Sequence, residues 1–222
     1  MFAQVLLSAA LAGLTTAQVD LEFTSQGHFK QKHAAFINLG KFDDSEEFLL
    51  ISEFSGTPGA AGKIHMVEGV TDAVKAGNVG TLKSVRLDSI NYMWPNNIEA
   101  VPQSVFGERA IVVPDGFLVP TKTNGGIYIV RMDDSDLTKT KSTVKISQEK
   151  DGYFYHMGFW VDLNQDGRLD YITARSNAKA GEGELVWLEH PEDPLDAGVA
   201  WPEHVLGNVA DVSISIETLP EY

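Results

Sequence analysis

Residues 156–176 read HMGFWVDLNQDGRLDYITARS, and this stretch carries the most specific pattern in the 222-residue chain. Its two ends, 156–161 and 171–176, contain aromatic and β-branched side chains, which favour strands. The middle, 162–170, places oxygen-bearing side chains at intervals and contains Gly167, which permits a sharp reversal of the backbone. The stretch therefore predicts two antiparallel strands joined by a polar turn.

The turn has the spacing of a calcium loop. Asp162, Asn164, Asp166 and Asp170 stand at its first, third, fifth and ninth positions, a spacing that lets their oxygens converge on one hard cation. Ca²⁺ takes about six to eight oxygen ligands, so we expect the carbonyl of Arg168 and water to complete the shell. The alternative is a solvated acidic turn whose side chains only satisfy local turn geometry.

The flanks of the loop separate the protein classes that use this pattern. An EF-hand requires helices on both sides and a glutamate at its twelfth position, where this chain has Thr173. A dockerin also continues into a helix. Flanks of strand type instead place the predicted ion in a turn between two strands, at the edge of a sheet.

A common arrangement of strands recurs along the chain. Each unit has an apolar strand, a Gly-rich hairpin loop near Gly62, Gly125 or Gly183, a second alternating strand and a shorter third strand. The strands have a period of two and are bounded by Gly, Pro, Asn and Asp, which is typical of antiparallel sheets. We place the units at about residues 30–90, 91–150 and 151–210.

Repeats of roughly 60 residues predict an all-β fold, a β-propeller of four-stranded blades, because such blades bury their faces by stacking on their neighbours. A β-sandwich with similar hairpins is the alternative. Three units are fewer than the roughly four to eight blades of a closed propeller. We therefore expect either a longer chain or self-association that covers the open blade faces.

Residues 156–206 resemble one blade of the FG-GAP and VCBS-type repeats of integrin-like β-propellers, in the secreted branch of that family. The resemblance rests on HMGFWVDLNQDGRLDYITARS, GELVWLEHP and WPEHVL, and it extends weakly over most of the chain after residue 17. It implies a calcium-stabilised propeller used for extracellular recognition, with the ion held by the 162–170 loop.

The other two units lack the middle ligands of the calcium pattern. The first unit has Gly40 and Phe42 in their place, between Asn38 and Glu46. The second retains only an Asp-Gly pair that begins at Asp115. We therefore predict one good calcium site per chain.

The N-terminal residues have a pattern that is distinct from the rest of the chain. Residues 1–17, MFAQVLLSAALAGLTTA, have no charged side chain and end on small residues, as a secretory signal peptide does. A buried apolar N-terminal segment is the alternative. The apolar run is shorter than the roughly 20 residues of a membrane span. We expect a secreted, extracellular chain over residues 18–222, with no membrane span.

The composition limits the ligands and the reactions that can be expected of this chain. Lys and Arg number 17 against 31 Asp and Glu, a net charge of −14, whereas nucleic acids and anionic membranes are bound by clustered basic residues. The absence of cysteine excludes disulfides and a thiol nucleophile. No HExxH, GxSxG or P-loop pattern occurs. We therefore expect a protein that is not an enzyme.

Two functions stay open on these grounds. The first is a secreted calcium-binding β-propeller module that recognises an extracellular protein or carbohydrate. The second is an acidic component of an extracellular matrix, such as the organic matrix of a calcified shell or skeleton, which binds a calcium mineral surface. Trp160, Trp187 and Trp201 fit either a sugar-stacking platform or a packed core.

Overall fold

Twelve strands form three four-stranded sheets in the computed structural model, which describes residues 31, 33–43, 45–54, 61–87, 90–116, 124–177, 180–196, 198–209 and 214. Sheet 1 contains β1 (Ala34–Gly40), β2 (Phe48–Glu53), β3 (Lys63–Val67) and β4 (Val85–Arg86). Sheet 2 contains β5 (Glu99–Ala100), β6 (Ala110–Pro114), β7 (Ile127–Met132) and β8 (Thr140–Lys145). Sheet 3 contains β9 (Phe154–Val161), β10 (Asp170–Asn177), β11 (Glu182–Leu188) and β12 (Glu203–Asn208).

Each sheet is a meander in which every strand pairs with the next strand along the chain. All of these pairings are antiparallel. The predictions of an all-β fold and of four-stranded antiparallel sheets are confirmed by this topology.

The connections hold short helical turns that the strand pattern did not predict. Helix α1 (Val70–Lys75) and a 3-10 turn (Val79–Thr81) lie between β3 and β4, and helix α2 (Gln103–Phe106) lies between β5 and β6. Val105 of α2 is buried in the hydrophobic cluster between sheets 2 and 3. Segments this short carry too few turns for an apolar period of 3.6 residues to be recognised in the sequence.

The second sheet is positioned earlier than its sequence pattern suggests. The pattern places the first apolar strand of this unit after Asp115, whereas β6 occupies Ala110–Pro114 and ends before Asp115. Residues 117–123, which carry most of the predicted strand, lie outside the described residues. All five residues of β6 are buried, so the strand is a continuous apolar run rather than an alternating one.

Sheet 2 packs against both of the other sheets. Successive side chains of a strand point to opposite faces of its sheet, so neighbouring residues of β6 enter different clusters. Ile111 and Val130 pack in a buried cluster with Phe48 of sheet 1. Val112 packs in a second buried cluster with Tyr171 of sheet 3. The three sheets are therefore held together by two hydrophobic clusters that share sheet 2.

The predicted signal peptide, residues 1–17, lies outside the described residues and stays a prediction. In the described ranges, no helix has both the length and the apolar character needed to cross a bilayer.

Candidate metal centre

The 162–170 loop connects β9 to β10 at the edge of sheet 3. Val161 pairs with Asp170 where the two strands meet, so the antiparallel ladder closes the loop. Gln165 and Gly167 have positive φ values of 62° and 88°, and they turn the backbone back on itself. Glycine adopts such a conformation without steric cost, which explains its place at position 167.

Asp162 and Asn164 direct oxygens at the same backbone amide. Oδ1 of each accepts a hydrogen bond from the N–H of Asp166 at 3.1 Å. Oδ2 of Asp162 accepts a second bond, from the N–H of Gly167, at 2.9 Å. The fold therefore brings together the oxygens of the first and third positions of the predicted site.

Asp166 pairs with Arg168. Its Oδ2 accepts hydrogen bonds from Nε and Nη2 of Arg168 at 3.0 and 2.5 Å, and its Oδ1 accepts one from the Arg168 backbone N–H at 2.9 Å. The side-chain bond from Arg168, followed by the backbone bond, lowers the pKa of Asp166 to about 2. Asp166 is therefore ionised at neutral pH, the form that binds a cation.

Asp170 has a different environment from the other loop carboxylates. Its side chain is buried, and its two oxygens accept hydrogen bonds from the N–H groups of Leu163 and His190 at 3.0 and 2.9 Å. These bonds anchor the loop to the segment that follows β11. Because a carboxylate oxygen has two lone pairs, each oxygen of Asp170 keeps one for a cation.

The residues of the loop fit calcium in chemical type, and they converge in part. All the predicted ligands are oxygens, which a hard cation such as Ca²⁺ prefers. Asp162, Asn164 and Asp166 are linked by hydrogen bonds within one turn. Within the described part of the chain, no three His, Cys, Asp or Glu side chains are grouped closely enough to hold a metal ion.

Glu189 lies beside the loop, although no sequence pattern pointed to it. Its Oε1 is 3.3 Å from Nδ2 of Asn164, and its Oε2 is 2.8 Å from Nε2 of His204. Tyr171 pairs with Leu188, so the strand register brings Glu189 alongside Asp170. The position of Glu189 therefore follows from the register of β10 and β11. The spacing of residues within the loop gives no indication of it.

In the other two sheets, the positions that correspond to the 162–170 loop make structural hydrogen bonds and packing contacts. Asn38 donates from Nδ2 to the carbonyl of Ile98 at 2.8 Å and thus links sheet 1 to the segment before β5. Phe42 is buried with its ring centroid 5.0 Å from that of Phe48. Asp115 is buried and accepts hydrogen bonds from the backbone N–H groups of Met93 and Gly116 at 2.8 Å.

The tryptophans singled out by the sequence do not share one surface. Trp160 and Trp201 belong to the hydrophobic cluster between sheets 2 and 3. Trp187 neighbours Leu188, a residue of that cluster, and therefore faces the opposite side of β11. Its ring centroid is 4.4 Å from that of His204. The idea of a single platform of three tryptophans is therefore wrong.

No family model matches this sequence, and comparisons with curated proteins and with solved structures also found no match. The resemblance to FG-GAP and VCBS-type repeats therefore depends on the sequence motifs of residues 156–206.

Proposed function

We propose that the protein is a secreted calcium-binding β-propeller module of the FG-GAP and VCBS type, which recognises an extracellular protein or carbohydrate and catalyses no reaction. The observation that carries this proposal is the 162–170 loop. Three oxygen-bearing side chains, those of Asp162, Asn164 and Asp166, meet within one turn between antiparallel strands.

The arrangement of the sheets supports the propeller part of the proposal. Blades of a propeller are four-stranded antiparallel sheets arranged around a common axis, and each repeat packs on its neighbours. Sheet 2 packs on both other sheets through opposite faces. The bond from Asn38 of β1 to Ile98, just before β5, brings the first strands of two successive sheets together.

The loop residues have different roles in the proposed binding of calcium. Bound calcium supplies a fixed positive charge that offsets the repulsion between the loop carboxylates. Asp162, Asn164 and Asp166 present oxygens from the turn, with the carbonyl of Arg168 as a further predicted ligand. Asp170 holds the turn against the backbone of Leu163 and His190. The loop is thereby joined to the connection between β11 and β12, and ordering of the turn also stabilises that connection.

Binding to a calcium mineral in an extracellular matrix is a second candidate function. The net charge of −14 favours it, since an acidic surface is attracted to the cations of a mineral. The two functions differ in where the protein is found. Release from tissue only when calcium carbonate is dissolved favours the matrix function, whereas recovery in solution with a defined partner favours recognition.

Thermal unfolding in calcium and in EDTA tests the proposal. We expect millimolar calcium to raise the Tm of residues 18–222, because a ligand bound only by the folded state stabilises it by about 2.7 kcal/mol at 100 times its Kd. Asp166→Ala removes most of this shift. Asp151→Ala, which alters an exposed aspartate in the turn before β9, keeps it. Identical melting curves of the unaltered protein in calcium and in EDTA would contradict calcium binding.

A further inference from the structure

The two junctions between sheets are built in the same order. Sheet 1 directs Phe48 and Leu50 toward sheet 2, where they pack with Ile111. Sheet 2 directs Val112 toward sheet 3, where it packs with Tyr171. In each junction the face that a sheet turns toward the next sheet meets the face that the next sheet turns back. Within the described ranges, sheet 2 has a neighbouring sheet on both faces, whereas sheets 1 and 3 each have one on a single face.

The outer face of sheet 1, which is directed away from sheet 2, carries an apolar row. Leu39, Leu49 and Val67 pair with one another across β1, β2 and β3, so their side chains share one face. Phe48 points to sheet 2, and its neighbour Leu49 therefore points outward. Val67 is buried and Leu49 is partly exposed, whereas Leu39 is 61% exposed and Ile37 is 55% exposed. The accessible apolar surface of this face therefore lies mainly on β1.

The outer face of sheet 3, which is also directed away from sheet 2, carries a second apolar row. Phe159 and Trp187 both pair with Ile172, so the row crosses β9, β10 and β11. Tyr171 packs toward sheet 2, and its neighbour Ile172 therefore faces away from it. All three side chains of the row are partly exposed. Large aromatic and aliphatic side chains in this arrangement are the kind that a sheet junction buries.

We propose that a second copy of this chain covers both outer faces, with sheet 1 of each copy packed on sheet 3 of the other. Each new junction then has the same order as the two junctions within the chain. Two copies contribute six sheets, twice the three of one chain, and closed propellers have roughly four to eight blades. A head-to-tail contact of this kind forms a ring when its rotation closes. The inference rests on the proposed propeller arrangement and does not depend on the calcium site.

The first strands indicate where the two copies meet. Within the chain, β1 contacts β5 where sheets 1 and 2 meet, and β9 contacts β6 where sheets 2 and 3 meet. The same geometry places β1 of one copy against β9 and β10 of its partner. The exposed side chains of Ile37 and Leu39 then cover Phe159 and Ile172 of the partner copy.

Cysteine cross-linking tests which faces meet, because the chain contains no cysteine of its own. Packed sheets lie about 10 Å apart, so a bis-maleimide reagent of about that length joins residues across a junction. We expect an equilibrated mixture of Leu39→Cys and Ile172→Cys proteins to form cross-linked dimers, whereas each variant alone forms none.

Val85→Cys is the matched control. Val85 is also an exposed apolar residue of sheet 1, at 40%, but it pairs with Met66 and so lies on the face toward sheet 2. Its mixture with Ile172→Cys is expected to give no cross-linked dimer. Sedimentation equilibrium of the unaltered protein is expected to give twice the mass of one chain. Asp166→Ala keeps this mass, because Asp166 lies in a turn and on neither outer face.

Three results would overturn the inference. Cross-linking of Leu39→Cys with itself would show that two copies of sheet 1 face each other. A mass that keeps rising with concentration would show that the head-to-tail contact does not close. A monomer would show that the chain covers its own outer faces, and calcium binding would then still stand. Conversely, intact cross-linking in a protein whose Tm does not respond to calcium would contradict only the calcium part of the proposed function.

Discussion

Arg168 has two opposed effects on the proposed calcium loop. Its carbonyl is a predicted ligand, whereas its guanidinium pairs with Asp166 through Nη2 and Oδ2 at 2.5 Å. A calcium ion and the guanidinium are both attracted to the carboxylate of Asp166, so they compete for it. Because the side chain of Arg168 is solvent-accessible, it can move away from the carboxylate of Asp166 without disturbing the core.

Arg168→Gln is therefore expected to strengthen calcium binding by roughly twofold to fivefold, the strength of an exposed ion pair. The same change raises the pKa of Asp166 from about 2 toward its ordinary value of 3.8, because the main hydrogen bond that lowers it is lost. Calorimetry measures the affinity, and an NMR titration of the carboxylate measures the pKa. Arg86→Gln, at an exposed position in sheet 1, alters neither. Unchanged affinity in Arg168→Gln would show that the guanidinium does not compete.

The loop residues and Glu189 differ in how far the sequence reveals them. Asp162, Asn164 and Asp166 lie within five consecutive residues, so their spacing alone predicts that they meet, and hydrogen bonds do link them. Glu189 reaches the loop only through the pairing of Tyr171 with Leu188. A strand register is set by packing across the sheet, and a shift of one residue would turn every side chain to the other face.

Strands β9 and β10 approach closely at Gly158. A Cβ atom there would lie 2.4 Å from the carbonyl oxygen of Ile172 and 2.5 Å from Cζ of Tyr171. Both neighbours are fixed within sheet 3. Gly158→Ala is therefore expected to lower the free energy of unfolding by about 1–3 kcal/mol, as overpacking does.

Urea unfolding measures the effect at Gly158. Gly207→Ala in β12 is the matched control, since a Cβ there would meet no atom within 4 Å. Equal stabilities of the two variants would show that the strands separate to accommodate the methyl group.

A buried ionic network links strands of sheet 3 to the end of sheet 2. Arg175 is 4% exposed, and it donates from Nε to Glu184 at 2.7 Å and from Nη1 to Glu203 at 2.6 Å. Glu203 also accepts a hydrogen bond from the backbone N–H of Gln148, just after β8, at 2.7 Å. Loss of one carboxylate charge would leave the buried guanidinium less well compensated.

This network predicts a loss of stability in acid. Burial alone would raise the pKa of Glu184, but hydrogen bonds from Lys150 and Arg175 outweigh it and lower the pKa below its ordinary value of 4.5. Ionised Glu184 therefore stabilises the fold above pH 4.5, and this contribution is lost as the pH falls through the lower pKa of the folded state.

Urea unfolding from about pH 7 to pH 3 measures this contribution. We expect Glu184→Gln to be less stable at neutral pH and to lose less stability in acid than the unaltered protein. Glu149→Gln, whose side chain is 75% exposed, keeps the original pH dependence. Identical pH dependence in Glu184→Gln would mean that other groups cause the acid loss.

The strands were easier to predict than their connections. Alternating segments such as β11 are predictable because each is several residues long, so that an apolar–polar alternation with a period of two can be recognised in the sequence. The pattern missed β6, the strand that pairs with β7, because β6 is buried on both faces and does not alternate. The positions of helices α1 and α2 depend on the path of the chain over the sheets. The sequence of a short segment does not reveal that path.

Exposed apolar side chains on the outer face of sheet 1 and on the edge strand of sheet 3 explain why self-association is expected. In sheet 1, Ile37 and Leu39 are 55% and 61% exposed. In sheet 3, Val205 of the edge strand β12 is also exposed, although its pairing with Val186 places it on the face toward sheet 2. Apolar sheet faces of this kind tend to be covered by another sheet. Light scattering on residues 18–222 is therefore expected to report dimers or larger species.

Replacing Ile37 and Leu39 together by lysine should shift the protein toward the monomer, because charged side chains on a sheet oppose pairing. Val74→Lys, at an exposed apolar position on α1, is the control and leaves the association unchanged. If the unaltered protein were a monomer, these faces would not drive association.

The central place of sheet 2 determines the order in which backbone amides exchange with deuterium. Strands β6 and β7 are covered by sheet 1 on one side and by sheet 3 on the other. Opening of either outer sheet therefore uncovers only one face of sheet 2, and its amides exchange only after a larger opening. Strands β4 and β12, the edge strands of the outer sheets that lie opposite β1 and β9, exchange first, because β1 and β9 contact sheet 2. Local unfolding thus proceeds from the outer sheets inward, and a protease that cuts transiently opened chain would cut sheet 2 last.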